Sequence, residues 1–275
     1  MTGPRRVWIP NTVAALISGL FLFPVVWALI SSLQTPEAIL EWPPRITLEG
    51  FTLRNFMVLL ADPRTPIDMW FRNSLYAALT HSALSVIVAV MAGFALARLR
   101  FPGRDAYFKV LLGSMAIPSL ILFLPNYHTV DILGWINSLT AIILPGLGAT
   151  FAIFLLRQFF INIPTEIEEA AIVEGAGVWW RITRIIVPLS KEAVITVFVM
   201  NFMMNWNDYL WPLVVLYSPD KRTLPVGMAT LQGQYVHDYG VTMAGAAIIS
   251  IPSIIIFLLV QKYYVQGVSV SGAIK

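Results

Sequence analysis

Cysteine is absent from this chain of 275 residues, which excludes a disulfide framework, a thiolate metal site and a cysteine nucleophile and leaves the redox compartment open. Charge is scarce: Asp, Glu, Lys and Arg make up 12% of the residues, against about 25% in soluble domains. No GxxxxGK[ST] stretch occurs, so the chain has no P-loop with which to cradle nucleotide phosphates. No His/Glu/Asp spacing suggests a metal site, and no Ser/His/Asp set suggests nucleophilic catalysis. Internal repeats, heptads and low-complexity segments are also missing.

What is present is hydrophobic, at 57% of the residues. Residues 7–36, 73–97, 110–130, 132–156 and 239–261 carry no Asp, Glu, Lys or Arg, and 193–219 carries only Asp208. About 20 apolar residues cross a bilayer as a helix, and a helix is how a single segment satisfies its own backbone inside hydrocarbon. The runs predict an all-α, polytopic membrane protein with six spans, near 12–33, 72–97, 108–127, 137–157, 192–217 and 240–262. The first run follows Arg5–Arg6 as a signal peptide does, but it is too long for one and lacks a small-residue cleavage site before Gln34, so it reads as a retained span. Between the first two spans, Pro36, Pro43, Pro44, Pro63 and Pro66 favour turns over a packed core. A single membrane domain over 1–275 is the simplest organisation.

Lys and Arg set the orientation. With the N-terminus inside, the inner set holds twelve of them (Arg5, Arg6, Arg98, Arg100, Arg104, Lys109, Arg157, Arg181, Arg184, Lys191, Lys262 and Lys275) and the outer set six (Arg45, Arg54, Arg64, Arg72, Lys221 and Arg222). This bias predicts cytoplasmic termini and a cytoplasmic loop over 158–191. The formal net charge of +3 then reflects topology and gives no sign of a nucleic-acid partner.

That loop holds a polar island rich in Glu and Ala. Pro164 followed by Thr165 and Glu168 has the spacing of a capping box, which starts a short helix near Thr165. Gly175 and Gly177 stop it. A second helix, over about 178–187, places Trp179, Ile182 and Ile186 on one side and Arg181 and Arg184 on another before Pro188 closes it. Glu169–Ala170–Ala171, two residues, Glu174–Gly175–Ala176 and then Val187–Pro188–Leu189 resemble the EAA loop of ABC importer permeases. Two departures stand out: Glu174 replaces the usual Asp, and Lys191–Glu192 stands where a second Pro is common.

The resemblance implies the type I permease fold and a place for the loop in a surface cleft of a separate ATPase. Contact would run through Glu169, Ala170, Ala171, Glu174, Gly175 and Pro188, with Glu169 pairing a basic residue of the ATPase and Gly175 permitting the bend. It also implies the partners: a second homologous permease, two copies of the ATPase, an external solute-binding protein and the lipid bilayer of a bacterial or archaeal inner membrane. It implies no cofactor in this chain, ATP and Mg being bound by the ATPase, and no enzyme activity of its own.

Asn201, Asn205 and Asp208 are spaced i, i+4, i+7 and so lie along one face of the fifth span. An intramembrane Asp usually faces a cavity or a partner. The stretch Asn205–Trp206–Asn207–Asp208–Tyr209–Leu210–Trp211–Pro212 looks like a segment of maltose-type carbohydrate permeases, which implies that Asn201, Asn205, Asp208 and Tyr209 line a sugar path. Interhelical packing with Trp anchors at the interface is the other reading. Asn73, Ala77 and His81 share a face of the second span and read as packing, His81 being hydrogen-bonded rather than a proton relay. Lys221–Tyr239, with Gln232–Gly233–Gln234–Tyr235, resembles the family's loop toward the external binding protein. The tail from Gln266 to Lys275 resembles family tails, some of which reach the ATPase dimer.

Sugar phosphates, amino acids or peptides are the nearest alternative cargoes. An ion-coupled transporter would use Asp208 or His81 as its coupling site and has no need of an EAA loop. The orientation is tested by placing single cysteines at Glu166 and at Asp220 in this cysteine-free chain. An impermeant thiol reagent outside intact cells labels position 220 and spares 166; the reverse pattern overturns the topology.

Overall fold

The computed structural model describes residues 5–42, 50–231 and 238–272. Arg45, the stretch Gln232–Gly233–Gln234–Tyr235, His237 and Lys275 fall outside the described residues. Among the described residues the chain is helical and forms no strand. The elements are α1 (Arg5–Ser32), α2 (Pro36–Leu40), α3 (Arg54–Ala61), α4 (Ile67–Arg98), α5 (Arg104–Ser114), α6 (Phe123–Ile132), α7 (Thr140–Ile143), α8 (Thr150–Ile161) and α9 (Thr165–Val173). They continue with α10 (Val178–Arg181), α11 (Val187–Leu189), α12 (Lys191–Trp206), α13 (Leu210–Val215), α14 (Leu224–Leu231) and α15 (Tyr239–Gly272).

The chain forms two compact units. The first holds Met1–Asp68 and Leu224–Pro252. Its α1 is apolar on every side, with Leu16, Leu20, Phe21 and Phe23 all exposed, as suits a helix whose surroundings are lipid or another chain. Where α1 ends, its carbonyls lack intrahelical donors. Asn55 of α3, fully buried, supplies them: its Nδ2 donates to Ser32 O at 2.9 Å and to Gln34 O at 2.8 Å. Gly240, in the first turn of α15, approaches that amide so closely that a Cβ would lie 2.6 Å from Asn55 Nδ2, and a larger residue would displace the amide.

The second unit holds Met69–Thr223 and Ser253–Lys275. Its core joins Phe94 of α4 to Leu156 and Phe160 of α8 and to Ile186, just before α11, all four fully buried. The approach of α4 to α8 is close: a Cβ on Gly93 would lie 3.3 Å from Arg157 N and 3.4 Å from Ile153 O. Asn73 and Ala77 serve as the packing reading expects, Ala77 being fully buried and Asn73 donating to Asp220 O and Arg222 O at 2.9 and 3.0 Å.

Among the described residues, three helices are each long and apolar enough to cross a membrane: Thr12–Ser32, Ile67–Arg98 and Tyr239–Leu259. The other three expected spans differ from continuous helices. The one over 108–127 turns by 94° between Arg104–Ser114 and Ser119–Ile132, where Pro118 precedes a 3-10 turn. The one over 137–157 is α7 and α8 with Pro145 and Gly146 between them, Gly146 at φ 79. The one over 192–217 stops at Trp206 and resumes at Leu210, so Asp208 stands in a break and not on a continuous helix face. A break in a span is tolerated where the freed backbone is buried in protein or lines a cavity.

Candidate functional site: a cavity at the helix breaks and an acidic loop

All three breaks open onto one cavity of about 540 Å³, entirely within the second unit. Ser119 lines it from the first break, Pro145 and Gly146 from the second, and Asp208 from the third, with Asn201 and Asn205 of α12 beside them. One side of it is reached through Ile142 by α7, a helix too short to satisfy its own C-terminal carbonyls. The residue four after Ala141 is Pro145, which has no N–H to give. Side chains from three other elements replace the missing donors. Trp211 Nε1 donates to Ala141 O at 2.8 Å, Asn205 Nδ2 to Ile142 O at 3.3 Å, and His81 Nδ1 lies 2.8 Å from Ile143 O. A carbonyl only accepts, so His81 carries its proton on Nδ1. Trp211 is held further by an edge-on contact with Phe123 at 5.3 Å.

The acidic loop lies at the other end of the same helical path. The structure starts α9 at Thr165 as the sequence predicts, but the N-cap is Pro164 and no side chain caps the helix. Glu168 does not close a capping box. It is buried and shared by two arginines: Arg98 Nε is 2.9 Å from its Oε2, and Arg181 Nη1 is 3.3 Å from its Oε1. Arg98, the last residue of α4, also donates Nη2 to Phe160 O at 2.6 Å and to Ile163 O, and the Arg181 guanidinium stands 5.7 Å from the Phe94 ring centre. The ion pairs therefore tie both loop helices to the end of α4.

Gly175, at φ 86, ends α9. Its N–H bonds to Ile172 O at 2.9 Å and that of Ala176 to Ala171 O at 2.8 Å, the paired bonds of a Schellman turn that needs a left-handed residue. The second loop helix runs from α10 through a π-turn at Ile182–Ile186 into α11, and Pro188 lies inside it rather than closing it. It buries Ile182, Ile185 and Ile186 and leaves Trp179 exposed, so Trp179 does not share their face. It meets α12 at an angle of 85°.

Glu169, Ala170, Glu174, Gly175 and Pro188 are exposed, while Ala171 packs inward. Beside the exposed carboxylates stand Ile172, Val173, Trp179 and Trp180, all at least half exposed.

Comparison with known proteins places this geometry. Residues 85–270, which hold most of the second unit, match the family described as binding-protein-dependent transport system inner membrane component. The chain belongs to this family. Similar proteins include the arabinooligosaccharides transport system permease protein of Halalkalibacterium halodurans, 32% identical with 98% of each chain covered. The lactose transport system permease protein of Rhizobium radiobacter is 32% identical over 93% of this chain and 92% of its own. The trehalose/maltose transport system permease protein of Thermococcus litoralis is 30% identical over 95% of this chain and 94% of its own. In fold, the chain is similar to one from a bacterial ABC transporter involved in the import of the acidic polysaccharide alginate, with TM-score 0.80, 23% identity, and 96% and 99% of the two chains covered.

In this inner membrane component the structure brings Asn201, Asn205 and Asp208 together at the cavity and leaves Tyr209, 43% exposed, outside its lining. His81, assigned to packing by the sequence, does pack against α7 and also lines the cavity. Sequence reasoning missed the Arg98–Glu168–Arg181 cluster. No spacing rule joins residues 70 and 13 positions apart. Breaking a buried ion pair costs about 3–5 kcal/mol, whereas an exposed substitution shifts stability by about 0.5 kcal/mol or less. Glu168→Gln therefore lowers the melting temperature of the purified chain and Glu169→Gln leaves it in place; equal melting of the two variants contradicts the assignment.

Proposed function

We propose that this chain is the permease subunit of an ATP-driven importer for a carbohydrate and forms half of its translocation pathway. The second half is a homologous permease, an external binding protein delivers the sugar, and two copies of an ATPase bind the ATP and Mg that this chain does not. The chain needs no cofactor and performs no chemistry of its own. Its termini and acidic loop face the cytoplasm. The carbohydrate class follows the arabinooligosaccharide, lactose and trehalose/maltose permeases to which the chain is about one-third identical over nearly its whole length.

One observation carries the mechanism: a single helical path joins the acidic loop to the cavity. The second loop helix leads at Ser190 into α12, and α12 brings Asn201 and Asn205 to the cavity at its far end. A push on the loop is thereby a push on the cavity wall. The loop suits a soluble partner, since Glu169 and Glu174 are exposed beside apolar side chains. Glu174, at the C-cap of α9, also opposes the helix dipole, a placement that a cationic partner relieves. Coupling needs only that the ATPase grip this loop differently in its open and closed states.

At the other end, Asn201, Asn205 and Asp208 offer amide and carboxylate groups to sugar hydroxyls, and Trp211 and Phe123 offer ring surface. The pathway then exposes this wall alternately to the two sides of the membrane as the loop moves.

Glu169→Lys replaces attraction with repulsion at the ATPase contact. Gly175→Pro imposes a φ near −65° where the turn needs 86°, and removes the N–H bonded to Ile172 O. Each variant abolishes uptake of radiolabelled sugar and substrate-stimulated ATP hydrolysis in a complex that still assembles. Wild-type uptake by an assembled complex carrying either change overturns the coupling role.

A further inference from the structure

The cavity has a chemical sign. Four of its lining side chains have a nitrogen directed onto the backbone: His81 Nδ1, Asn205 Nδ2 and Trp211 Nε1 meet the carbonyls of α7, and Asn201 Nδ2 donates to Val197 O at 2.9 Å. The Asn201 Oδ1 in turn accepts from Ser85 Oγ at 3.3 Å. None of the lining residues is Lys or Arg, and the one ionisable acid among them is Asp208, half-buried, with one oxygen 3.5 Å from the Trp211 N–H. The demand that caps the broken helices therefore turns these four nitrogens onto the backbone and leaves the Asp208 carboxylate with no Lys or Arg beside it in the lining.

From this we infer that the cavity filters its cargo by charge, with Asp208 as the specificity-determining residue: hydroxyl-rich uncharged sugars are accepted, and sugars bearing carboxylate, phosphate or sulfonate groups are rejected. The inference rests on the proposal that the cavity belongs to the sugar pathway and names the class of sugar that passes. A neutral sugar donates its hydroxyls to the carboxylate and to the free amide oxygen of Asn205, whereas an anion finds a like charge facing it. The cavity suits a neutral cargo even though the fold resembles that of a chain from an importer of an acidic polysaccharide, because fold does not determine the polarity of a site.

The test uses the assembled transporter with a single cysteine at Asn126, which lines the cavity, in the otherwise cysteine-free chain. Arabinotriose, lactose and maltotriose are assayed for protection of that cysteine from a small maleimide, and the most protective is compared with its counterpart carrying a carboxylate. At low salt the acidic form protects about tenfold more weakly or worse, and the gap narrows as salt screens the charge. Asp208→Asn brings the two forms to within about threefold and Asp208→Glu keeps them apart, as expected of a charge effect. Equal protection by the two forms in the unaltered chain overturns the charge filter and leaves the sugar pathway standing. Protection by none of the neutral sugars overturns the pathway assignment itself.

Discussion

A backbone carbonyl inside a membrane protein has no water to turn to, and the second unit of this chain is arranged around that constraint. The chain breaks its helices at three places within hydrophobic stretches, and each break frees carbonyls that must be paired. The clearest case is α7, where Ala141, Ile142 and Ile143 meet Trp211, Asn205 and His81 in succession. An unsatisfied buried acceptor costs about 1–3 kcal/mol, so these contacts fix the relative positions of α4, α7, α12 and α13. The cavity is the space that those broken ends surround. Four of the side chains that line it, His81, Asn201, Asn205 and Trp211, are oriented by the same cause, since each turns a nitrogen onto a backbone carbonyl.

The second organising interaction is the ion-pair cluster at the acidic loop. Two arginines and one glutamate are buried together, a costly arrangement that packed apolar residues often match in stability. Its value here is geometric. Glu168 belongs to α9, Arg181 to α10 and Arg98 to α4, so the loop moves with the helices it serves instead of swinging on its hinge at Gly175. The buried Glu168 fastens the loop from within, while its neighbour Glu169 is exposed. Adjacent acids on one short helix thus have opposite surroundings.

Much of this was legible in the sequence, and the remainder was hidden for physical reasons. Hydropathy and the lack of charge located α1, α4 and α15, whose apolar runs are uninterrupted. The polar island located α9 and its Gly175 stop, because a left-handed turn after an Ala- and Glu-rich helix has few solutions. The family resemblance is matched over residues 85–270. Hydropathy did not reveal the breaks, since Ile117–Pro118 and Leu144–Pro145–Gly146 are as apolar as the helices around them. Proline and glycine inside a span were the available signal. The capping-box reading of Glu168 failed because two arginines distant in sequence offered a stronger partner than an N-terminal amide. Asn201, Asn205 and Asp208 line one cavity, but Asp208 stands in a break and not on the continuous helix face that the spacing suggested.

The central claim is that the helix breaks line a water-filled path. The most direct measurement is the labelling of single cysteines at Ser119, Ala149 and Asn205, which line the cavity, in the assembled transporter while it turns over ATP. Cysteines at Leu20 and Phe21, exposed on apolar α1, serve as the reference away from the cavity. A cationic, water-soluble thiol reagent reacts at the three cavity positions and spares the two on α1. Inert cavity positions, with reactivity no greater than at Leu20 and Phe21, would contradict the account.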